Sequence, residues 1–182
     1  MVRIVSTASV DMQDRRARLL GVADDNWRAA VLNGKAWGFS TTQIGGGAGQ
    51  SPAIGIETDN AGPANRVTRV RAWVGFAATA RIDIVRGASG HAGRTLTALT
   101  TDNNMQVGNG AIPLWKMATH PNLPLNGDDK VVWRADFTAN QPPPQFDLHV
   151  MLSLLNHSLW IKATAAGAVT LDVAVQWVEE AP

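Results

Sequence analysis

Val169-Thr170-Leu171-Asp172-Val173-Ala174-Val175-Gln176-Trp177 decides the fold. Val169, Leu171, Val173, Val175 and Trp177 alternate with Thr170, Asp172, Ala174 and Gln176, and side chains two residues apart share one face of a strand. The stretch is therefore a β-strand with one face against a core. Upstream, Val131, Trp133, Ala135 and Phe137 alternate with Val132, Arg134 and Asp136. Phe146, Leu148, Val150 and Leu152 alternate with Asp147, His149 and Met151. These two segments are joined by Pro142-Pro143-Pro144 and are expected to pair as a hairpin, with Arg134 and Asp136 facing Asp147 and His149 as cross-strand charge partners.

Extending the same reading from Lys35 onward gives about nine strands, drawn from ten spans: Ala36–Ile44, Ala53–Thr58, Arg66–Ala77, Ala80–Val85, Arg94–Leu99, Ala111–Met117, Lys130–Phe137, Phe146–Leu154, Leu159–Thr164 and Val169–Val178. Turn residues such as Gly45–Gly49, Asp59–Pro63 and Asn126-Gly127-Asp128 separate them, a rhythm that belongs to a sandwich or barrel. No alternation of strands with helices appears, which argues against a parallel α/β sheet.

Residues 1–34 read differently, as an arm with short helices ahead of a β-domain at 35–182. Asp11 to Leu20 is charged and ends on Leu19-Leu20. A second helix opens at Asp24-Asp25-Asn26, sets Trp27, Ala30 and Val31 on one stripe and stops at Asn33-Gly34. Neither is long enough to be stable alone, so their apolar stripes must dock on the domain or on another subunit.

The 182 residues suffice for one main domain. With 16 basic and 15 acidic residues the net charge is +1, which gives no broad field for nucleic acid or an anionic membrane. There is no cysteine, so disulfides, thiolate catalysis and cysteine-ligated zinc drop out. The N-terminus lacks the apolar core of a secretion signal, and the expectation is a chain made in a cytoplasm, where the sequon at Asn156 stays idle.

Chemistry-bearing patterns are weak. Gly45–Gln50 lacks the Lys and Ser/Thr of a phosphate loop. Gly87-Ala88-Ser89-Gly90-His91 misses the nucleophile elbow by one residue. The four histidines, at 91, 120, 149 and 157, have no metal-pair spacing and read as polar surface residues. Asp147, His149 and Ser153 stand on one strand face but about 6.5–7 Å apart, too far for a triad. Asp102-Asn103-Asn104 and Asn126–Asp129 offer oxygen ligands for calcium, although Asn-Gly is equally a favoured turn. The reading is non-enzymatic, with no catalytic residue, cofactor or metal assigned.

Some strands are apolar on both faces. Trp73 shares its side with Arg69 and Arg71, away from Val70, Ala72 and Val74; Trp160 faces away from Leu159 and Ile161. A tryptophan buries about 150–250 Å², on the order of 4–6 kcal/mol as an upper bound. Either the arm or a long loop of the same chain covers these rings, or another subunit does. The second alternative makes Trp73, Trp160, Arg69, Arg71, Trp27, Leu19 and Leu20 the candidate interface.

Ser51-Pro52-Ala53-Ile54-Gly55-Ile56-Glu57, the turn Asn60-Ala61-Gly62-Pro63 and the long strand Val67-Thr68-Arg69-Val70-Arg71-Ala72-Trp73-Val74 resemble the opening of small virion proteins of tailed bacteriophages. Asn156–Lys162, Ala165–Val169 and Trp177-Val178-Glu179-Glu180 look like their terminal hairpin. The resemblance implies an all-β, antiparallel, jelly-roll-like sandwich with the short helical arm as an addition. It also implies a homo-oligomer, often a trimer, that decorates and cements a capsid in contact with the major capsid protein or other virion proteins. A tail-fibre or receptor-binding module, stacking sugar rings on exposed tryptophans, is the alternative. No nucleic-acid or membrane partner is expected.

Overall fold

The computed structural model describes residues 26–58, 66–87, 91–106, 108, 110–139, 141–142, 144–152 and 158–181. They form ten strands: β1 (Ala36–Gly46), β2 (Ala53–Glu57), β3 (Arg66–Phe76), β4 (Ala80–Gly87), β5 (Thr95–Thr97), β6 (Lys116–His120), β7 (Lys130–Phe137), β8 (Gln145–Leu152), β9 (Ser158–Thr164) and β10 (Val169–Glu180). A helix, α1, covers residues 26–32, and a single 3₁₀ turn covers Thr101–Asn103.

The strands make two antiparallel sheets, ordered β1-β10-β3-β8 and β5-β6-β2-β9-β4-β7. With β5 and β6 set aside, the partners are β1 with β10, β2 with β9, β3 with β8 and β4 with β7. This nested wrapping is the jelly roll. The expected all-β sandwich is therefore present, and β5 and β6 widen its second sheet.

The alternation read at Val169–Trp177 sets the core. Leu171, Val173, Val175 and Trp177 of β10 face Ile54 and Ile56 of β2, Ile82 and Ile84 of β4, and Leu159 and Ile161 of β9 in one buried cluster. Trp115 and Trp177 are fully buried within it. Glu179 satisfies the polar groups there: its carboxylate accepts from the Trp177 indole (3.1 Å) and the Trp115 and Leu114 amides (3.1 and 3.2 Å).

Three expectations are corrected. The segments β7 and β8 do not pair with each other; β7 lies beside β4 and β8 beside β3, in opposite sheets. Alternation specifies which side of a strand is buried and is blind to the partner, and the proline-rich connection crosses between layers. The charges re-pair accordingly: Arg134 grips Asp83 of β4 (2.6 and 3.0 Å), Asp136 meets Arg81 (3.1 Å), and Asp147 meets Arg69 and Arg71 of β3. The terminal hairpin is also absent, because β9 and β10 belong to different sheets. Finally, the sixth strand runs over Lys116–His120 rather than Ala111–Met117, since Pro113 cannot donate to a ladder.

The second helix of the arm forms as expected. It ends at Asn33, and Gly34 takes the left-handed conformation (φ 65°) that closes a helix C-terminus. Asp11–Leu20 lies outside the described residues.

Candidate protein-contact surface

Trp160 projects from the outward face of the six-stranded sheet and is 0% exposed. Gly55 stands directly across from it on β2, and a Cβ there would run into the Leu159 carbonyl oxygen. Leu123, Ala53, Val85 and Ala118 pack around the indole, and the His91 ring meets it edge-on at 5.6 Å. The indole N–H donates to the Ser158 hydroxyl (2.9 Å). Trp160 is therefore sealed by loops of its own chain, and its assignment to a subunit interface is corrected.

Those loops are held by polar contacts. His91 Nε2 bonds Asp129 Oδ2 (2.8 Å), which also accepts from the Asn126 amide (2.6 Å). Arg94 pairs with the buried Glu57. His120 donates from Nε2 to the Ala92 carbonyl (2.8 Å) and accepts at Nδ1 from the Asn122 amide (3.0 Å). Leu123 N–H donates to the Ser51 carbonyl (2.8 Å). The reading of His91 and His120 as surface residues is corrected, for both are buried. Serine, histidine and aspartate do converge here, since Ser158, His91 and Asp129 all border Gly87. Each is sealed from water, and each has a structural partner, so the group fixes a lid over Trp160.

Among the described residues, α1 covers one end of the four-stranded sheet. Trp27 and Ala30 of α1 pack on Ala36 and Val178. Arg71 and Arg69 hold the Trp27 ring from the other side, their guanidinium carbons 4.6 and 5.8 Å from its centre. Arg69 in turn makes a two-pronged bond to Asp147 (2.8 and 2.6 Å), and Arg71 adds a third contact (3.2 Å). The Arg69 hydrogen bonds hold the Asp147 carboxyl below its ordinary value, against the opposing pull of partial burial. Trp27, Arg69 and Arg71 thus form an internal clamp for α1. Trp73 remains 36% exposed, and Leu19 and Leu20 lie outside the described residues.

The end of the sandwich that carries α1 presents large aliphatic residues to solvent: Leu32 and Ile112 at 61% exposure and Leu114 at 36%. Hydrogen bonds place them at that common end. The Leu114 amide bonds the Glu179 carboxylate, the Glu179 amide bonds the Lys35 carbonyl, and Lys35 closes α1 three residues after Leu32. No protein-family model matches this chain, and no curated protein matches it. Sequence reasoning missed these three residues. Leu32 falls off the Trp27–Ala30–Val31 stripe, and Ile112 and Leu114 were absorbed into a strand that Pro113 prevents; an apolar residue on each side of a proline was the available signal.

Proposed function

We propose that this chain is a non-enzymatic virion structural protein, a decoration or cement subunit that forms a homo-oligomer, a trimer by resemblance, and stabilises a capsid lattice. The observation that carries the reading is the presence of three exposed aliphatics, Leu32, Ile112 and Leu114, at the end of the jelly roll that carries α1. Large apolar side chains grouped on a surface mark protein contacts. Jelly rolls build viral shells, and the resemblance of Ser51–Val74 to phage virion proteins points the same way.

Mechanically, subunits bury these residues against one another and against capsomers. A subunit that binds only the assembled lattice stabilises it by mass action. The proposed location is the virion, with synthesis in the host cytoplasm; among the described residues no helix is long and apolar enough to cross a membrane. Mass spectrometry of purified particles from the producing culture tests the reading. The chain is expected in fixed stoichiometry with the major shell protein, and its absence from the particles contradicts it. In the same assay, deletion of residues 1–30 is expected to lower occupancy.

A further inference from the structure

Asparagine is chemically labile, and most so before glycine, whose amide nitrogen reaches the asparagine side-chain carbon with no Cβ in the way. The chain carries Asn-Gly at Asn33, Asn109 and Asn126. Asn109 lies outside the described residues, and the structure treats the other two oppositely. At Asn33 the nucleophile is tied down: the Gly34 amide donates to the Val31 carbonyl (3.0 Å), and Gly34 is buried in the left-handed conformation that ends α1. At Asn126 it is open. Among the described residues no acceptor meets the Gly127 amide, both residues are exposed, and nothing lies within 4 Å of the point where a Gly127 Cβ would stand.

The same turn is a structural link. The Asn126 carbonyl accepts from the Asp129 amide (3.1 Å), and the Asn126 amide donates to Asp129 Oδ2 (2.6 Å), the oxygen that holds His91 (2.8 Å) against Trp160. The Asp129 side chain is 1% exposed, so a buried contact hangs from an exposed and labile turn.

We infer that Asn126 is a site of spontaneous conversion to isoaspartate, and that this conversion loosens the lid over Trp160. The Gly127 nitrogen bonds to the Asn126 side-chain carbonyl carbon, the side-chain amide leaves as ammonia with the Gly127 proton, and a cyclic imide remains. Water then opens the imide. Cleavage at the side-chain carbonyl gives aspartate; cleavage at the main-chain carbonyl gives isoaspartate, in which the chain runs through the side-chain methylene. The carbonyl that accepted from the Asp129 amide becomes part of a free carboxylate, and the path from residue 126 to residue 129 gains one carbon, so the turn that aims Asp129 at His91 is lost. That carboxylate also stands beside Asp128 and Asp129, where like charges repel. The reaction needs water alone and is independent of the assembly reading.

The test is to age the full chain in slightly alkaline buffer and digest it with trypsin, which places the three Asn-Gly pairs on separate peptides. Mass spectrometry with fragmentation reads the conversion at each, and amide exchange reads the lid. Asn126 is expected to convert at least about tenfold faster than Asn33, with the two rates converging in urea, where neither turn is folded. Exchange over residues 91–94 and 121–129 is expected to rise about tenfold in the converted chain. Asn126→Gln, which keeps the backbone bonds while its longer side chain closes the ring poorly, should age without that rise. Gly127→Ala, for which there is room, should slow the conversion. Equal rates at Asn126 and Asn33 in the folded chain would overturn the assignment, and so would a chain converted at Asn126 whose loops exchange as those of the fresh chain do.

Discussion

Trp160 and Trp73 both stand on the outward face of an interior strand, one in each sheet, yet the first is sealed and the second is left open. Their strands look alike. The difference lies in what passes overhead: the connections that carry His91, Arg94 and Leu123 fold back across the six-stranded sheet, whereas among the described residues the four-stranded one meets the short helix α1 and the 3₁₀ turn beside β1, and Trp73 stays partly exposed. An outward tryptophan thus indicates that something must cover the sheet, and the length and polar anchoring of the neighbouring loops decide whether the chain itself does so.

The contrast should be largest in stability. Trp160→Ala empties a closed site and is expected to cost about 3–5 kcal/mol, while Trp73→Ala should stay within about 1 kcal/mol; urea titrations of both variants measure the gap. Equal costs would mean that Trp73 is as deeply packed as Trp160. Next comes the lid itself. Asp129→Asn leaves the His91 contact imperfect in a buried setting and should cost about 1–3 kcal/mol, with faster amide exchange at residues 91–94 and 121–129. Exchange unchanged in those loops would separate the lid from the pair.

On the opposite sheet, Trp27→Ala should release α1 with about 1–2 kcal/mol of local destabilisation. Amide exchange is expected to rise over residues 26–35 while the strands stay protected. The smallest effect is electrostatic. Asp147 is held below its ordinary value of 3.8 by Arg69. Its contribution is fully present above the unfolded value and is lost as the pH falls through the lower folded one. Because the carboxylate is 38% exposed, the loss should stay below about 1 kcal/mol. Acid titration of Asp147→Asn should show a correspondingly flatter decline below pH 3.8 than the wild type.

The alternation at Val169–Trp177, Lys130–Phe137 and Leu159–Thr164 places those strands, because a period of two is a local property, but it assigns the buried face cleanly only at Val169–Trp177: Val131 of β7 is exposed, and β9 is buried on both sides. Pairing was not local. The proline-rich link between β7 and β8 looked like a hairpin loop and is a crossover, and nothing in Asp147 or Arg134 distinguishes Arg69 or Asp83 from the partners first expected. The docking of Trp27 was legible from its stripe with Ala30. The lid over Trp160 was not, since His91, Leu123 and Asp129 are distant in sequence and meet only through the sheet beneath them.

The central claim is that this polypeptide completes its apolar burial on neighbouring copies through the end that bears α1. Sedimentation velocity of the full chain measures it directly. A species of about three subunits is expected across the micromolar range, and a combined Leu32→Glu, Ile112→Glu and Leu114→Glu variant with an unchanged circular dichroism spectrum should sediment as one. A wild-type chain that remains a single subunit at every concentration contradicts the claim.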